Sequence, residues 1–137
     1  MELYVAGKFS DKKQIKEYMN ELVKLGHSIT HDWTSFESEN ADQNKMAQSA
    51  VKDVEAVKEC DVLIAFLTDP QYAYRGTFSE IGIALGTDKE IIVVNSDEQA
   101  YCTTNVFYHH PDIIHVKTWD ELLPQLEQIK QIYEWAK

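Results

Sequence analysis

The sequence predicts an α/β fold, a three-layer α/β/α sandwich built on a mainly parallel, five-stranded, flavodoxin-like sheet. Apolar β-prone segments alternate along the chain with longer helical patterns, which is typical of crossover units that join parallel strands. The segment "DVLIAFL" (61–67) is continuously apolar, as expected of a central strand that helices cover on both faces. No repeat, low-complexity tract or linker interrupts the pattern, so residues 1–137 are expected to form a single domain.

The first elements follow from short local signals. "LYVAG" (3–7) reads as a strand, and residues 10–26 as a helix with Ser10 as its N-cap and Gly26 as its end. "SITHDW" (28–33) is the predicted second strand. The helix has an apolar stripe at the spacing of successive turns, formed by Ile15, Met19, Leu22 and Val23.

The middle of the chain contains the most polar segment and two further helices. Residues 34–45 are polar and acidic, and we expect a mobile loop there. A helix over about 41–59 follows, and a second helix surrounds Glu80 after the central strand. The apolar residues of the first of these helices share one side: Ala47, Ala50, Val51, Val54 and Val57.

The last third completes the sheet. "EIIVVN" (90–95) and "IIHV" (113–116) read as strands. The final helix begins near Thr118, with Glu121 placed for a capping box. Pro124 is compatible with that helix only in or near its first turn.

Charge and composition limit the possible functions. The net charge of −10 does not favour nucleic acid polymers or anionic membranes, although one arginine or helix N-terminus suffices to hold a small phosphate ligand. No segment approaches the roughly 20 apolar residues that cross a bilayer, and "MELYVAG" lacks the pattern of a secretory signal. With two cysteines, Cys60 and Cys102, the chain is expected to be cytoplasmic and without disulfides.

One carboxylate stands out in the segment "RGTFSEIGIALG" (75–86). Glu80 is the only charged residue between Phe78 and Leu85, in a helix that is apolar on every side and therefore expected to be buried. A buried carboxylate is unfavourable unless it is paired or used. The helix dipole favours its ionised form near the helix start. Glu80 is thus a candidate nucleophile, general base or metal ligand, or a salt-bridge partner of Arg75.

The expected binding edge lies at the carboxyl ends of the strands. Four segments meet there, namely residues 7–9, 31–33, 68–76 and 95–96. Asp53, at the edge of the apolar stripe on the preceding helix, offers a second carboxyl group. Two carboxyl groups suit the cleavage of a glycosidic bond, one as nucleophile and one as acid. Most helical aspartates are solvated, however, and spacing alone favours that alternative for Asp53.

Three segments together resemble the nucleoside 2-deoxyribosyltransferase-like superfamily. They are "LYVAG" (3–7), "DVEAVKECDVLIAF" (53–66) and "RGTFSEIGIALGTDKEIIVV" (75–94). The group contains the deoxyribosyltransferases and the deoxynucleoside 5′-monophosphate N-glycosidases, so the resemblance implies cleavage or exchange of an N-glycosidic bond in nucleotide salvage. It also implies that Glu80 attacks the anomeric carbon and carries a covalent sugar.

The resemblance assigns roles to further residues. Asp53, eight residues before Asp61, is expected to serve the leaving base, and Tyr4 to orient Glu80. No cofactor is expected, the ligand is a small nucleoside or nucleotide, and the protein is at least a homodimer because family pockets are completed by a neighbouring subunit. Large aromatic residues late in the chain give that dimer modest support. The expected substrate-binding residues are Gly7, Phe9, Tyr74, Arg75, Gly76, Thr77 and Asn95.

The chain also departs from the family pattern. Tyr74 stands where the transferases carry a second aspartate, six residues before the nucleophile, and "YEWAK" at the C-terminus lacks the amide that they donate to a neighbour. The nucleotide hydrolases hold a 5′-phosphate in the loop before the nucleophile, where Arg75, Thr77 and backbone amides are candidates here. Tyr72 and Tyr74 suit base stacking and loop packing equally. Transfer or hydrolysis, and nucleoside or 5′-monophosphate, remain open at this point.

Weaker signals point away from metals and dinucleotides. His31 in "HDW" is more typical of a surface histidine than of a substrate donor. His109 and His110 near Cys102 fit no structural zinc spacing, so we predict no metal. The pattern G-x-G-x-x-G is absent.

Two other functions compete with the enzyme. A nucleotide-sensing module would keep the pocket without turnover, as the missing aspartate and amide suggest. Cleavage of a ribosylated dinucleotide such as NAD rests on distant fold similarity alone. A sugar trapped on Glu80 distinguishes the enzyme from the sensor, and release of nicotinamide identifies the third function.

Overall fold

The computed structural model describes residues 1–37 and 40–136, and in it five parallel strands form one sheet in the order β2-β1-β3-β4-β5. The predicted three-layer α/β/α fold is confirmed, with every strand pair parallel. The strands are β1 (Glu2–Ala6), β2 (Ser28–Ile29), β3 (Val62–Phe66), β4 (Glu90–Val94) and β5 (Ile113–Val116). The helices are α1 (Lys12–Lys24), α2 (Gln43–Glu59), α3 (Arg75–Gly86) and α4 (Trp119–Ala136).

The central strand β3 fixes the core. All five of its residues are buried, and Leu63 pairs with Tyr4 of β1 on one side and with Ile91 of β4 on the other. Helix α2 contacts α3, while Tyr18 of α1 stacks on Trp119 of α4 at 4.9 Å between ring centroids. The helices therefore form two pairs that enclose the sheet, as its continuous apolar strands require.

Helix α1 shows where local signals misled the sequence analysis. Ser10 is not its N-cap, because residues 9–11 form a separate 3₁₀ turn and Asp11 precedes the helix without a side-chain cap. Gly26 does end the helix region, in a left-handed conformation with a φ of +97°. Strand β2 stops at Ile29, shorter than predicted, and the chain then enters a 3₁₀ turn at Trp33–Ser35.

Helix α2 starts later than predicted, at Gln43, where the Asp42 carboxylate caps it by accepting the Lys45 backbone N–H at 2.8 Å. The predicted mobile loop, 34–45, includes residues 38 and 39, which lie outside the described residues. The apolar side of α2 is mostly open to solvent: of its residues only Ala56 and Val57 are buried.

Helix α4 begins as the capping-box pattern indicated. Thr118 Oγ1 accepts the Glu121 backbone N–H at 3.2 Å, and Glu121 accepts the N–H of Lys117 at 2.7 Å. Pro124 lies at the sixth helical position, just past the first turn and so near the expected place. The helix continues through it because Leu122, Leu126 and Ile129 bury their side chains on the sheet, which offsets the lost backbone bond. Among the described helices, none is both long and apolar enough to span a membrane.

Candidate active site

A cavity of about 210 Å³ opens at the carboxyl edge of the sheet, between α2 and the loops after β1 and β3. Parallel strands bring these loops to the same edge, as expected for this architecture. Its lining is partly aromatic and partly charged, and comprises Tyr4, Gly7, Lys8, Phe9, Trp33, Phe36, Ser49, Asp53, Tyr72, Tyr74, Gly76, Thr77 and Glu80.

Glu80 and Tyr4 form the floor of the cavity. The Tyr4 hydroxyl donates a short hydrogen bond to Glu80 Oε2, joining β1 to α3. Glu80 is half-buried rather than fully enclosed, because its side chain faces the cavity. Tyr4 is 1% exposed, so its ring is fixed by the core and its hydroxyl has a defined position. This contact leaves Oε1 of Glu80 without a hydrogen bond from Tyr4.

The Glu80 carboxyl group holds its proton more tightly than the sequence suggested. Burial raises its pKa to about 8; the nearby Asp53 charge acts in the same direction, and the Tyr4 hydrogen bond acts against it. The expected influence of the helix dipole is outweighed because Glu80 is the sixth residue of α3, beyond the first turn in which the dipole is strongest. Burial and the Glu80 carboxylate also raise the pKa of Tyr4 well above its usual range.

Asp53 reaches the cavity from α2 instead of facing solvent. Its Oδ1 atom is buried, and it has no hydrogen-bond partner within the described part of the chain. His31 Nε2 lies 3.7 Å from that atom, so His31 is a neighbour of the cavity rather than the surface histidine the sequence favoured. Burial raises the pKa of Asp53, while the His31 charge and the Tyr4 hydroxyl lower it.

One side of the cavity is aromatic. The ring of Phe9 lies 6.2 Å from Trp33 and 6.3 Å from Phe36 between centroids. Trp33 is fixed by donating its Nε1–H to the Val5 carbonyl oxygen at 2.7 Å. Flat apolar rings held at this spacing form a surface on which another aromatic ring can stack.

The opposite side is polar and is formed by the loops after β1 and β3. Lys8 Nζ lies 2.6 Å from Asp69 Oδ2 and 5.3 Å from the centroid of the Tyr72 ring. Tyr74 adopts a left-handed backbone conformation, with a φ of 55°, and its hydroxyl accepts the Asp69 backbone N–H at 2.8 Å. These contacts tie the two loops together across the cavity mouth.

Most of the predicted site residues meet in this cavity. Gly7 lies where the first loop passes close to α1, since a Cβ atom there would be 2.7 Å from Ile15 Cδ1. Arg75 is exposed at the start of α3 and does not line the cavity, and Asn95 instead donates from Nδ2 to the Asp97 carbonyl oxygen and the Tyr108 hydroxyl. The predicted residues that do line it are Tyr4, Gly7, Phe9, Asp53, Tyr74, Gly76, Thr77 and Glu80.

Sequence reasoning missed several lining residues, namely Lys8, Trp33, Phe36 and Ser49. The segments containing Lys8 and Trp33 were expected at this edge, but nothing in their spacing singled out those side chains. In the described residues no group of three histidine, cysteine or acidic side chains is close enough to hold a metal ion.

A comparison with known protein families identifies the family of this chain. A model of the nucleoside 2-deoxyribosyltransferase family matches residues 3–133. The chain belongs to this family. No curated protein gives a significant match to the chain.

Two solved structures illustrate the range of relatives. The CMP N-glycosidase BcmB from Clostridium botulinum is 26% identical, with a TM-score of 0.63 over 93% of this chain and 99% of that one. A 2-deoxyribosyltransferase from Bacillus psychrosaccharolyticus has a TM-score of 0.70 at 18% identity, over 89% of this chain and 90% of that one, and supports the fold alone.

Proposed function

We propose that the protein is a hydrolase that cleaves the N-glycosidic bond of a nucleoside or its 5′-monophosphate through a covalent glycosyl-Glu80 intermediate. The observation that carries the proposal is the position of Glu80 in the cavity, held through Oε2 by Tyr4 with the Asp53 carboxyl group nearby. This arrangement supplies one carboxyl group for attack and one for proton transfer.

In the first step, the ionised Glu80 attacks C1′ of the sugar with Oε1 while Tyr4 retains Oε2. The bond between C1′ and the base nitrogen breaks, and its electron pair leaves with the base. Asp53, protonated at this stage, donates a proton to the departing base. The raised pKa of Asp53 favours this protonated form, for the same reason that a buried carboxyl group serves as a general acid elsewhere.

In the second step, water attacks C1′ of the glycosyl ester. The Asp53 carboxylate accepts a proton from this water, the C1′–O bond to Glu80 breaks, and the Glu80 carboxylate is restored. The products are the free base and the free sugar or sugar phosphate. His31, 3.7 Å from Asp53 Oδ1, supports the ionised form of Asp53 that this step requires.

Hydrolysis is favoured over transfer by two observations. Tyr74, not an aspartate, precedes the proposed nucleophile by six residues. BcmB, 26% identical over almost its whole length, is a CMP N-glycosidase.

The proposal is tested by a panel of nucleosides and their 5′-monophosphates, with free base measured by chromatography. We expect base release from at least one of them, and a mass increase equal to the sugar moiety on Glu80 after incubation with a 2-fluoro analogue. A second base added in excess should not increase turnover. Tight binding of a panel member without base release would instead identify a sensor, and faster turnover with added base would identify a transferase.

We also infer that two copies associate through α2. Its outward residues Met46, Val51 and Val54 are 53%, 57% and 39% exposed, which is unusual for three apolar side chains on one helical face. Glu55 and Lys58 border this face with opposite charges, which suits contact with a second, antiparallel copy of α2. Sedimentation should show a dimer for the wild type and a monomer for Val51→Glu, and a monomeric wild type at all concentrations would rule the association out.

A further inference from the structure

Lys8 occupies a distinctive position in the cavity. Among the described residues that line it, Lys8 has the single basic side chain, opposite the acidic groups of Asp53 and Glu80. Its side chain is only 18% exposed, and its ammonium group lies 2.6 Å from Asp69 Oδ2 at the mouth. A lysine drawn into a cavity is unusual, because this side chain is normally solvated.

The partner of Lys8 is replaceable. Asp69 is 33% exposed, and an ion pair with this much access to water is weak. A phosphate monoester carries a charge of about −1.5 to −2 at neutral pH and offers three acceptor oxygens. Such a group competes effectively with one carboxylate for the same ammonium group.

The two sides of the cavity match the two ends of a nucleotide. Phe9, Trp33 and Phe36 form the aromatic side, while Lys8 and the start of α3 at Gly76 form the polar side. Glu80 lies on the floor with Tyr4, where the sugar carbon between base and phosphate would be attacked. Without Lys8, the charged side chains that line this cavity would be the two acidic ones, Asp53 and Glu80, which repel a dianion.

We propose that Lys8 exchanges Asp69 for the 5′-phosphate of the substrate and thereby selects nucleoside 5′-monophosphates over nucleosides. This inference rests on the proposed function and adds the substrate class to it. It also assigns the phosphate to Lys8 in place of Arg75, which does not line the cavity. Asp69 then acts as a resting partner that holds the Lys8 side chain at the mouth until substrate arrives.

The test compares two substitutions with opposite expected effects. Lys8→Met keeps the length of the side chain and removes the charge, so kcat/KM for the best 5′-monophosphate of the panel should fall by about tenfold to a hundredfold, the scale of a charge-assisted hydrogen bond. The corresponding nucleoside should change by no more than about twofold. Asp69→Asn frees Lys8 and should lower KM for the monophosphate, while its Oδ1 atom still accepts the Gln71 N–H.

A purely structural ion pair gives a different result, because both substitutions would then impair both substrates alike. Lys13→Met, on the exposed surface of α1, is the matched control for loss of one positive charge. Arg75→Met tests the rival ligand: a selective loss of monophosphate activity in that variant, with Lys8→Met unaffected, would overturn the proposal.

Calorimetric titration separates the failure of this inference from that of the proposed function. If the wild type binds the monophosphate and Lys8→Met weakens that binding selectively, the Lys8 assignment stands even without base release. If base is released but Lys8→Met loses affinity equally for nucleoside and monophosphate, the hydrolase stands and the Lys8 assignment is wrong.

Discussion

Glu80 stands on α3 and Asp53 on α2, and the two helices bury different shares of their side chains. In α3 the side chains of Thr77, Phe78, Ile81 and Ala84 are buried along its whole length. In α2 only Ala56 and Val57 are buried, both near its C-terminal end. Glu80 is therefore held by the core, whereas Asp53 depends on a helix fixed mainly at one end. In the roles that we propose, a rigid nucleophile and a more adaptable acid suit substrates that differ in the base.

The largest expected effect concerns Glu80, on the well-buried helix α3. Glu80→Gln keeps an acceptor for the Tyr4 hydroxyl but cannot form the glycosyl ester, so base release should fall by roughly a thousandfold or more, about 4 kcal/mol of barrier. Circular dichroism should show an unchanged fold, and Glu17→Gln on the surface of α1 is the control. Activity within about tenfold of the wild type would remove Glu80 from the role of nucleophile.

The second prediction compares the packing of the two helices directly. Ile81→Ala in α3 removes a side chain that is fully buried and should lower the free energy of unfolding by about 2–5 kcal/mol. Val51→Ala in α2 alters a side chain that is 57% exposed in a single copy, so at concentrations where the chain is monomeric it should change the free energy of unfolding by no more than about 0.5 kcal/mol. Urea denaturation measures both. A loss for Val51→Ala that grows with protein concentration would show that a second copy covers α2, and a large loss at every concentration would contradict its exposed position.

The third prediction concerns Asp53 on α2, the helix that is buried mainly at its C-terminal end. Asp53→Asn cannot donate the proton that the leaving base needs, so turnover should fall about 10²-fold for bases that leave poorly. Bases that leave easily should be slowed by about tenfold or less. Rates for a series of bases of graded leaving ability measure this difference. Equal slowing across the series would assign Asp53 to sugar binding or to structure.

The smallest expected effect is on stability and follows from the pKa of Glu80. Folding raises that pKa from the ordinary 4.5 to about 8, so between these values the folded protein holds a proton that the unfolded chain has released. Stability from this group is therefore present at low pH and is lost as pH rises from about 4.5 to 8. Near pH 8.5, Glu80→Gln should be more stable than the wild type by roughly 1–2 kcal/mol. The gain is no larger because the cavity is open to water, which screens the charge. At pH 4.5 the two proteins should have nearly equal stability.

Thermal melts at the two pH values measure that difference, and a gain of the same size at both would show that it does not come from ionisation. The raised pKa of Glu80 also predicts an activity profile for Asp53→Asn, in which Glu80 is the only one of the two carboxyl groups left to titrate. Because only the ionised Glu80 attacks in the proposed mechanism, kcat/KM of this variant should rise with pH through the neutral range. A rate of Asp53→Asn that is flat between pH 6 and pH 8, with a substrate whose own ionisation is constant there, would contradict the raised pKa.

The sequence was most informative where burial on both faces dictates the residues. Strand β3 was predicted within one residue at each end and β4 within one residue at its C-terminal end, because central strands of a parallel sheet are continuous apolar runs. Strand β5, at one end of the sheet, was also predicted at its observed bounds. The sequence was least informative at the other end of the sheet and at the helix caps. Strand β2 lies at the end of the sheet, where few contacts fix its length. Ser10 is not the N-cap of α1 because it lies within a 3₁₀ turn, which the sequence pattern did not indicate.

The site residues also differ in how well the sequence predicted them. Glu80 was conspicuous because a carboxylate in an apolar helix demands an explanation, and Tyr4 and Asp53 followed from the family resemblance. Lys8, Trp33 and His31 gave no comparable signal, since their positions depend on how two loops turn after the strands. The α2 stripe was read correctly as apolar, but periodicity reports which side is apolar and not whether the same chain covers it.

The left-handed backbone of Tyr74 restricts how this protein can change its reaction. The resemblance places the second aspartate of the transferases at this position, and aspartate adopts a left-handed conformation more readily than tyrosine does. Yet the Tyr74 ring is 1% exposed, and its hydroxyl holds the backbone of Asp69. Tyr74→Asp would relax the backbone while emptying a filled space and releasing the loop. From the hydrolase that we propose, a path to a transferase by single substitutions therefore passes through a poorly folded loop, and a viable path must first rebuild residues 68–73.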